Sequence, residues 1–321
     1  MQTLQSFSSD EKEFLKTILA TKVASMMGRK FEEDDWSACY CRAKNIPKHG
    51  WSNLNIDVMH NGLGVEHKML CVAPNRTLLE FAGTSLMHPS ATRSIRVQST
   101  DHDPNETMKD IFRQYHELIE LRTQKVLTTT DTGNADMRTG WLLWERSLSE
   151  FLYFEEPMYA PNPDHFYAEW NERPARGARK ASKNLWIYEN ITGQKKFSVT
   201  TSAGAKIQPY FVVPAPSDNN LIYLKVQGEY LPNGMVQVWI TPSTIRELTR
   251  ILGNTDISEL SDVILSLPSS IQDANTTIDD NNQLATPILL TVAAYEKFVT
   301  ELGGVSDEHR AQLLLQRLRE T

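Results

Sequence analysis

Near the start of the chain apolar residues recur at helical spacing; through its middle they recur at strand spacing. Phe14, Leu15, Ile18, Leu19 and Val23 follow Ser9-Asp10-Glu11 at intervals of three and four, which predicts an amphipathic helix capped by that polar triplet. A second helix is expected over Glu32 to Ala43, ending before Pro47 and Gly50. Leu54 to Val72 reads as a hairpin. Leu54 to Val58 is the first arm, Asn61-Gly62-Leu63-Gly64 the turn, and Val65 to Val72 the return. A long helix follows from about Pro104 to Val126, with Ile111, Tyr115, Leu118, Ile119 and Arg122 marking its two faces.

After a break at Thr128 to Gly133, Trp141 to Phe154 is apolar enough to be buried, and its periodicity leaves helix and strand both open. Pro157, Pro161 and Pro163 then interrupt the chain. Strands are expected at Leu185–Tyr188, Lys196–Thr200, Tyr210–Val213, Leu221–Val226 and Val236–Ile240. Thr241-Pro242 opens a helix over Ser243 to Leu252, and the remainder reads as mostly helical, with a solvated loop over Ser269 to Gln283 and a last helix over Ser306 to Glu320. The fold class expected is α/β (α+β), a central mixed sheet flanked by helices. A soft boundary near residue 155 divides 1–155 from a strand-rich and helical 156–321, unless the proline cluster merely crosses one domain.

Composition narrows the functional classes. The chain has 321 residues, 40% of them hydrophobic, and a net charge of −7. That is too apolar for a disordered chain, and no run is long enough to span a bilayer. Three cysteines, Cys39, Cys41 and Cys71, are too few for a disulfide scaffold, and the polar first residues resemble no secretory signal. A cytoplasmic protein without a membrane partner is therefore expected. Cys39-x-Cys41 lacks the paired spacing of a zinc site.

The hairpin carries the most specific chemistry. Residues two apart on a strand share a face, so Glu66 and Lys68 point the same way, with Asp57 able to meet them across the turn. Two close carboxylates bind a hard divalent cation through oxygen, and a neighbouring ammonium can orient an attacking water or offset charge on a phosphoryl group. His67 points to the opposite face, although its backbone carbonyl could complete a metal shell. Ile56, Val58, Val65, Leu70 and Val72 put these charges in partly buried company, where an unpaired charge is costly.

Ile56-Asp57 followed by Glu66-His67-Lys68 resembles the PD-(D/E)xK nuclease superfamily, whose best-known members are type II restriction endonucleases, with Ile56 in place of the motif's proline. The resemblance covers roughly twenty residues and their flanking helices. It implies a restriction-endonuclease-like core with Asp57, Glu66 and Lys68 as catalytic residues and Mg²⁺ held by Asp57 and Glu66. A further carboxylate would come from the preceding helix, where Glu32, Glu33, Asp34 and Asp35 are candidates, Glu32 ranked slightly ahead.

A second signal is basic. Between Arg173 and Lys206 lie Arg173, Arg176, Arg179, Lys180, Lys183, Lys195, Lys196 and Lys206 against the single acid Glu189, a local charge of +7 in an acidic chain. With Arg93 and Arg96, these are the residues expected to hold a phosphate backbone. The function these features suggest is a Mg²⁺-dependent, sequence-specific double-stranded DNA endonuclease, acting as a homodimer. A methylation-dependent or repair nuclease of the same superfamily, and a non-catalytic DNA-binding regulator, are the alternatives.

Overall fold

The computed structural model describes residues 3–47, 56–73, 77–89, 92–175, 181–201, 205–253, 257–267 and 283–320. The chain opens with two helices, α1 (Ser9–Met26) and α2 (Glu33–Ala43). Ser8 rather than Ser9 caps α1, its hydroxyl accepting from Glu11 N while the Glu11 carboxylate accepts from Ser8 N. The expected hairpin follows as β1 (Val58–His60) and β2 (Leu63–Val72). His60 and Leu63 face each other across Asn61 and Gly62, both at positive φ, the two-residue turn that matches strand twist.

Two short strands that the pattern does not announce, β3 (Ser85–Met87) and β4 (Thr92–Ile95), precede the long helix α3 (Pro104–Leu127). Asp103 caps α3, its carboxylate accepting from Asn105 N and Glu106 N, and Pro104 occupies the first turn. The ambiguous apolar stretch resolves into an antiparallel pair, β5 (Asp136–Glu145) and β6 (Glu150–Pro157). The apolar runs Trp141–Trp144 and Phe151–Phe154, on either side of the polar turn, lack alternation because both faces are buried. Trp144, Phe151 and Tyr153 pack with α1 and α2, whereas Trp141, Leu143, Leu152 and Phe154 pack with Leu78, Phe81 and Phe211.

Then come β7 (Phe166–Arg173), β8 (Ser182–Glu189), β9 (Lys195–Thr200), β10 (Ala205–Val212), β11 (Ile222–Lys225), β12 (Glu229–Tyr230) and β13 (Met235–Ile240). The last part comprises α4 (Pro242–Leu252), α5 (Ile257–Ser266), β14 (Thr286–Thr291), α6 (Val292–Leu302) and α7 (Asp307–Glu320). The expected strands over 185–240 are present, β8, β9 and β13 with wider bounds, β10 beginning earlier and ending one residue sooner, and β11 narrower than expected. β7 and β14 lie where a loop and a helical region were expected, and the loop over Ser269 to Gln283 falls almost wholly outside the described residues.

These strands make three sheets. The first has the order β1-β2-β5-β6-β11; β2 and β5 run parallel over ten residue pairs while the other neighbours are antiparallel. The second has the order β3-β10-β9-β8-β7, with β4 also on β10, and α3 packs Met108, Ile111 and Phe112 onto its Leu185, Ile187 and Val199. The third, β12-β13-β14, shares a core with α4 to α7. The mixed α+β class is as expected. The stretch after residue 155 returns to the first sheet through β11, which pairs with β6. Among the described residues, no helix is long and apolar enough to cross a membrane.

A buried polar knot ties this core together. Glu155 is fully buried; its Oε1 accepts from the hydroxyls of Tyr40 and Tyr153, both at 2.9 Å, and its Oε2 pairs with Arg138 at 2.9 Å. Burial, then the Glu155 charge, pushes both tyrosine hydroxyls well above their usual range. Gly140 sits beside the knot on β5. A Cβ there would enter the van der Waals shell of the Tyr153 hydroxyl and lie 2.9 Å from His67 Nδ1. Gly140→Ala is therefore expected to cost about 2 kcal/mol in a urea-unfolding measurement, as overpacking does. Combined with Tyr153→Phe, which removes the obstructing oxygen, the loss should be smaller than the two single losses added.

Candidate active site

Strand alternation decides the geometry. On β2, Val65 faces α1 and α2, so Glu66 and Lys68 face the other way, towards α3. The tight turn returns the chain so that Asp57, just before β1, reaches β2, where its Oδ2 accepts from the His67 backbone N–H at 2.6 Å. Lys68 Nζ meets Glu66 Oε1 at 2.6 Å, both side chains largely buried. Arg122 of α3 approaches Glu66 Oε2 at 3.3 Å, yet that oxygen has no hydrogen-bond donor.

Near the start of α2 the exposed Glu33 feels the charges of Glu66 and Lys68. Its carboxyl is pushed up by desolvation, with the Glu66 charge raising it further and Lys68 opposing. Glu32 stands at the N-cap of α2, where its charge acts on Arg29. Asp35 is taken up by Lys22 at 2.9 Å and Arg29 at 2.8 Å. Asp57 feels the whole cluster. Burial, then the negative charges of Glu66 and Glu33, pushes its carboxyl to about 7, against Lys68 and the His67 N–H.

His67 is fully buried on the opposite face, against Trp36, Tyr40 and Tyr153. Burial and the Lys68 charge hold its imidazole down to about 3, so the ring is neutral, and its side chain takes no part in the carboxylate cluster. Cys39 and Cys41 are buried free thiols, the former pushed up to about 12 by burial, while the free thiol of Cys71 is exposed. Among the described residues no three His, Cys, Asp or Glu side chains are grouped closely enough to hold a metal ion.

Several neighbours escape a reading of the motif alone. Register places Glu66, Thr139 and Glu156 in one row across β2, β5 and β6. Glu156 is pushed up by burial despite the Trp141 indole N–H donating to its Oε1 at 2.9 Å, and its Oε2 has no partner. Tyr115 of α3 is pushed up to about 12, by burial and then by Glu66. Tyr115 and Arg122 lie seven residues apart, two helical turns, and that spacing is the signal that both look at the same strand.

The expected nucleic-acid residues gather on the second sheet. Arg173 ends β7 exposed; Lys183 pairs with Glu172 at 3.0 Å; Lys196 lies 3.7 Å from Glu189. Lys195 sits 3.8 Å over the Trp186 ring, and Lys206 belongs to β10. Arg96 is exposed and its backbone N–H donates to Gln114. Arg176, Arg179 and Lys180 lie outside the described residues, as does the side chain of Arg93.

No protein-family model, no curated protein and no solved structure matches this chain.

The raised Asp57 carboxyl has a measurable consequence. Its folded pKa, about 7, exceeds the unfolded value of about 3.9, so the folded state holds the proton more tightly. The stability it contributes is complete below about pH 4 and is lost as pH rises through about 7. Relative to Asp57→Asn, the wild-type unfolding free energy in urea should fall across that window by up to roughly 4 kcal/mol. A difference that is flat or rises with pH would count against the clustered carboxylates.

Proposed function

We propose that the chain is a Mg²⁺-dependent endonuclease of double-stranded DNA, acting as a homodimer. The observation that supports this reading is the approach of Asp57 and Glu66 beside Lys68 and Arg122, where burial and the negative charges of Glu66 and Glu33 leave Asp57 short of positive charge. All candidate ligands are oxygens, the donor set of a hard divalent cation, and Glu66 Oε2 lacks a hydrogen-bond donor. Asp57 and Glu66 would hold the ion, with Glu33 from α2 and the His67 backbone carbonyl as further oxygens. Bound there, Mg²⁺ would supply Lewis acidity towards a phosphoryl oxygen and lower the pKa of a water.

The protein's own groups do the rest. Lys68 holds its ammonium beside Glu66, positioned to orient a water and to offset charge growing on the phosphoryl oxygens. Arg122 offers a second cation from the opposite wall of the site. Leu70, on the same face of β2 as Glu66 and Lys68, packs against the core that holds Trp141 and Phe154 and keeps the local dielectric low on that side, which strengthens these interactions. The basic strands of the second sheet would provide phosphate contacts.

Incubation of the protein with plasmid should give discrete bands with Mg²⁺ and none with EDTA. Lys68→Ala is expected to reduce cutting by about 10²-fold or more while leaving DNA binding largely intact. Glu33→Gln should weaken both cutting and the rise in melting temperature on adding Mg²⁺, and Glu32→Gln should change neither. Cleavage retained by Lys68→Ala removes the assignment. A non-catalytic DNA-binding role is favoured by one observation, that Lys68 and Arg122 already approach both oxygens of Glu66; DNA binding without metal-dependent cutting would establish it instead.

A further inference from the structure

The second sheet has two unlike faces. Ala168, Leu185, Ile187, Val199, Ala205 and Ile207 face α3 and form one core. Alternation turns the intervening residues the other way, and there the register aligns them in rows. Tyr167 of β7 faces Tyr188 of β8, which is paired with Lys195 of β9; Glu169, Trp186, Ser198 and Gln208 form the next row. Asn171, Asn184, Thr200 and Lys206 form a third.

This face is aromatic, polar and positively charged at once. The rings of Tyr167 and Tyr188 stack 5.2 Å apart and 15° from parallel, and Tyr167 is 38% exposed. Lys195 lies 3.8 Å from the Trp186 ring centroid and 5.1 Å from that of Tyr210, so one ammonium joins two aromatic faces. On this face Arg173, Lys195 and Lys206 outnumber Glu169, while Glu172 and Glu189 of the same strands pair with Lys183 and Lys196. An apolar partner would leave those cations and the row of amides unpaired, whereas a duplex hides its base faces inside the stack. One exposed ring, Tyr167, and the half-buried rings of Tyr188, Trp186 and Tyr210, with cations between them, match a flexible polyanion whose planar bases are free.

We propose that the open face of β7 to β10 binds unpaired nucleotides of a nucleic-acid strand, bases on Tyr167, Tyr188, Trp186 and Tyr210 and phosphates on Arg173, Lys195 and Lys206. The inference rests on the nucleic-acid reading above and departs from it in one respect, that this face takes a strand whose bases are unpaired while the duplex is the substrate of the carboxylate cluster. It is tested by binding alone, so that it and the cleavage assignment can fail separately.

The experiment is fluorescence anisotropy of the full chain in EDTA with a labelled oligothymidylate, an abasic oligomer of equal length and charge, and a duplex of equal length. The oligothymidylate should bind tightest. Tyr188→Ala and Tyr167→Ser should each weaken it by about tenfold while leaving the abasic oligomer unchanged. Lys195→Gln should lower the salt dependence by about one unit of slope, and it stays informative should a tyrosine variant fail to fold. Equal binding of the abasic oligomer or the duplex, no binding at all, or indifference to all three substitutions overturns the proposal. Self-association abolished by the same substitutions, without oligothymidylate binding, assigns the face to a second copy of the chain and also overturns it.

Discussion

Too few cations for the carboxylates that the first sheet gathers is the constraint on which the rest turns. Asp57 and Glu66 meet where water is largely excluded, the charge of the exposed Glu33 acts on them, and Lys68 and Arg122 both address Glu66. Burying an uncompensated carboxylate costs several kcal/mol, so a proton on Asp57 makes up the deficit up to about pH 7. A surface ion pair would show nothing of this kind, because solvent screening would remove the mutual repulsion. The same deficit that a proton offsets is one that a divalent cation would offset better, at the pH where the proton leaves.

The fold produces that deficit through alternation along one strand. Glu66 and His67 are neighbours in sequence, yet one meets the charged cleft while the other is sealed against Trp36, Tyr40 and Tyr153. A shift of β2 by one residue would exchange them, and the ten-residue parallel pairing with β5 forbids it. Parallel pairing also requires a long connection between the two strands. In this chain that connection includes α3, which carries Tyr115 and Arg122 to the face where Glu66 waits. The helix needed for topology thus becomes a wall of the site.

Local chemistry made much of this legible. Asn61-Gly62 announces its own turn through two positive φ angles, and Asp103-Pro104 and Thr241-Pro242 announce their helices through caps. The hairpin is therefore readable, and with it the placement of Asp57, Glu66 and Lys68. Choosing Glu33 over Glu32 is not readable in the same way, because one residue turns a helix by about 100° and only the packing of α2 sets its rotation. Glu156 is further from reach still. It joins the row of Glu66 through a third strand, and the stretch containing β5 and β6 lacks any period because both of its faces are buried. β7 was hidden by the prolines ahead of it, and β14 by a helical neighbourhood; each forms because an existing sheet edge offers it partners.

The two sheets are coupled by α3, and this bears on how one chain would serve a phosphodiester. Met108, Ile111 and Phe112 bind the helix to the second sheet, while Arg122, further along the same helix, faces Glu66 on the first. The first stripe is apolar and packed, so it holds the helix axis; the second is polar and gains little from burial alone. The second sheet thus holds the helix axis, and Arg122 reaches Glu66 at 3.3 Å through its own ion pair. The sheets also meet directly, where Phe211 of β10 stacks on Trp141 of β5, so a strand held on the far side of the second sheet would act on the first through both contacts.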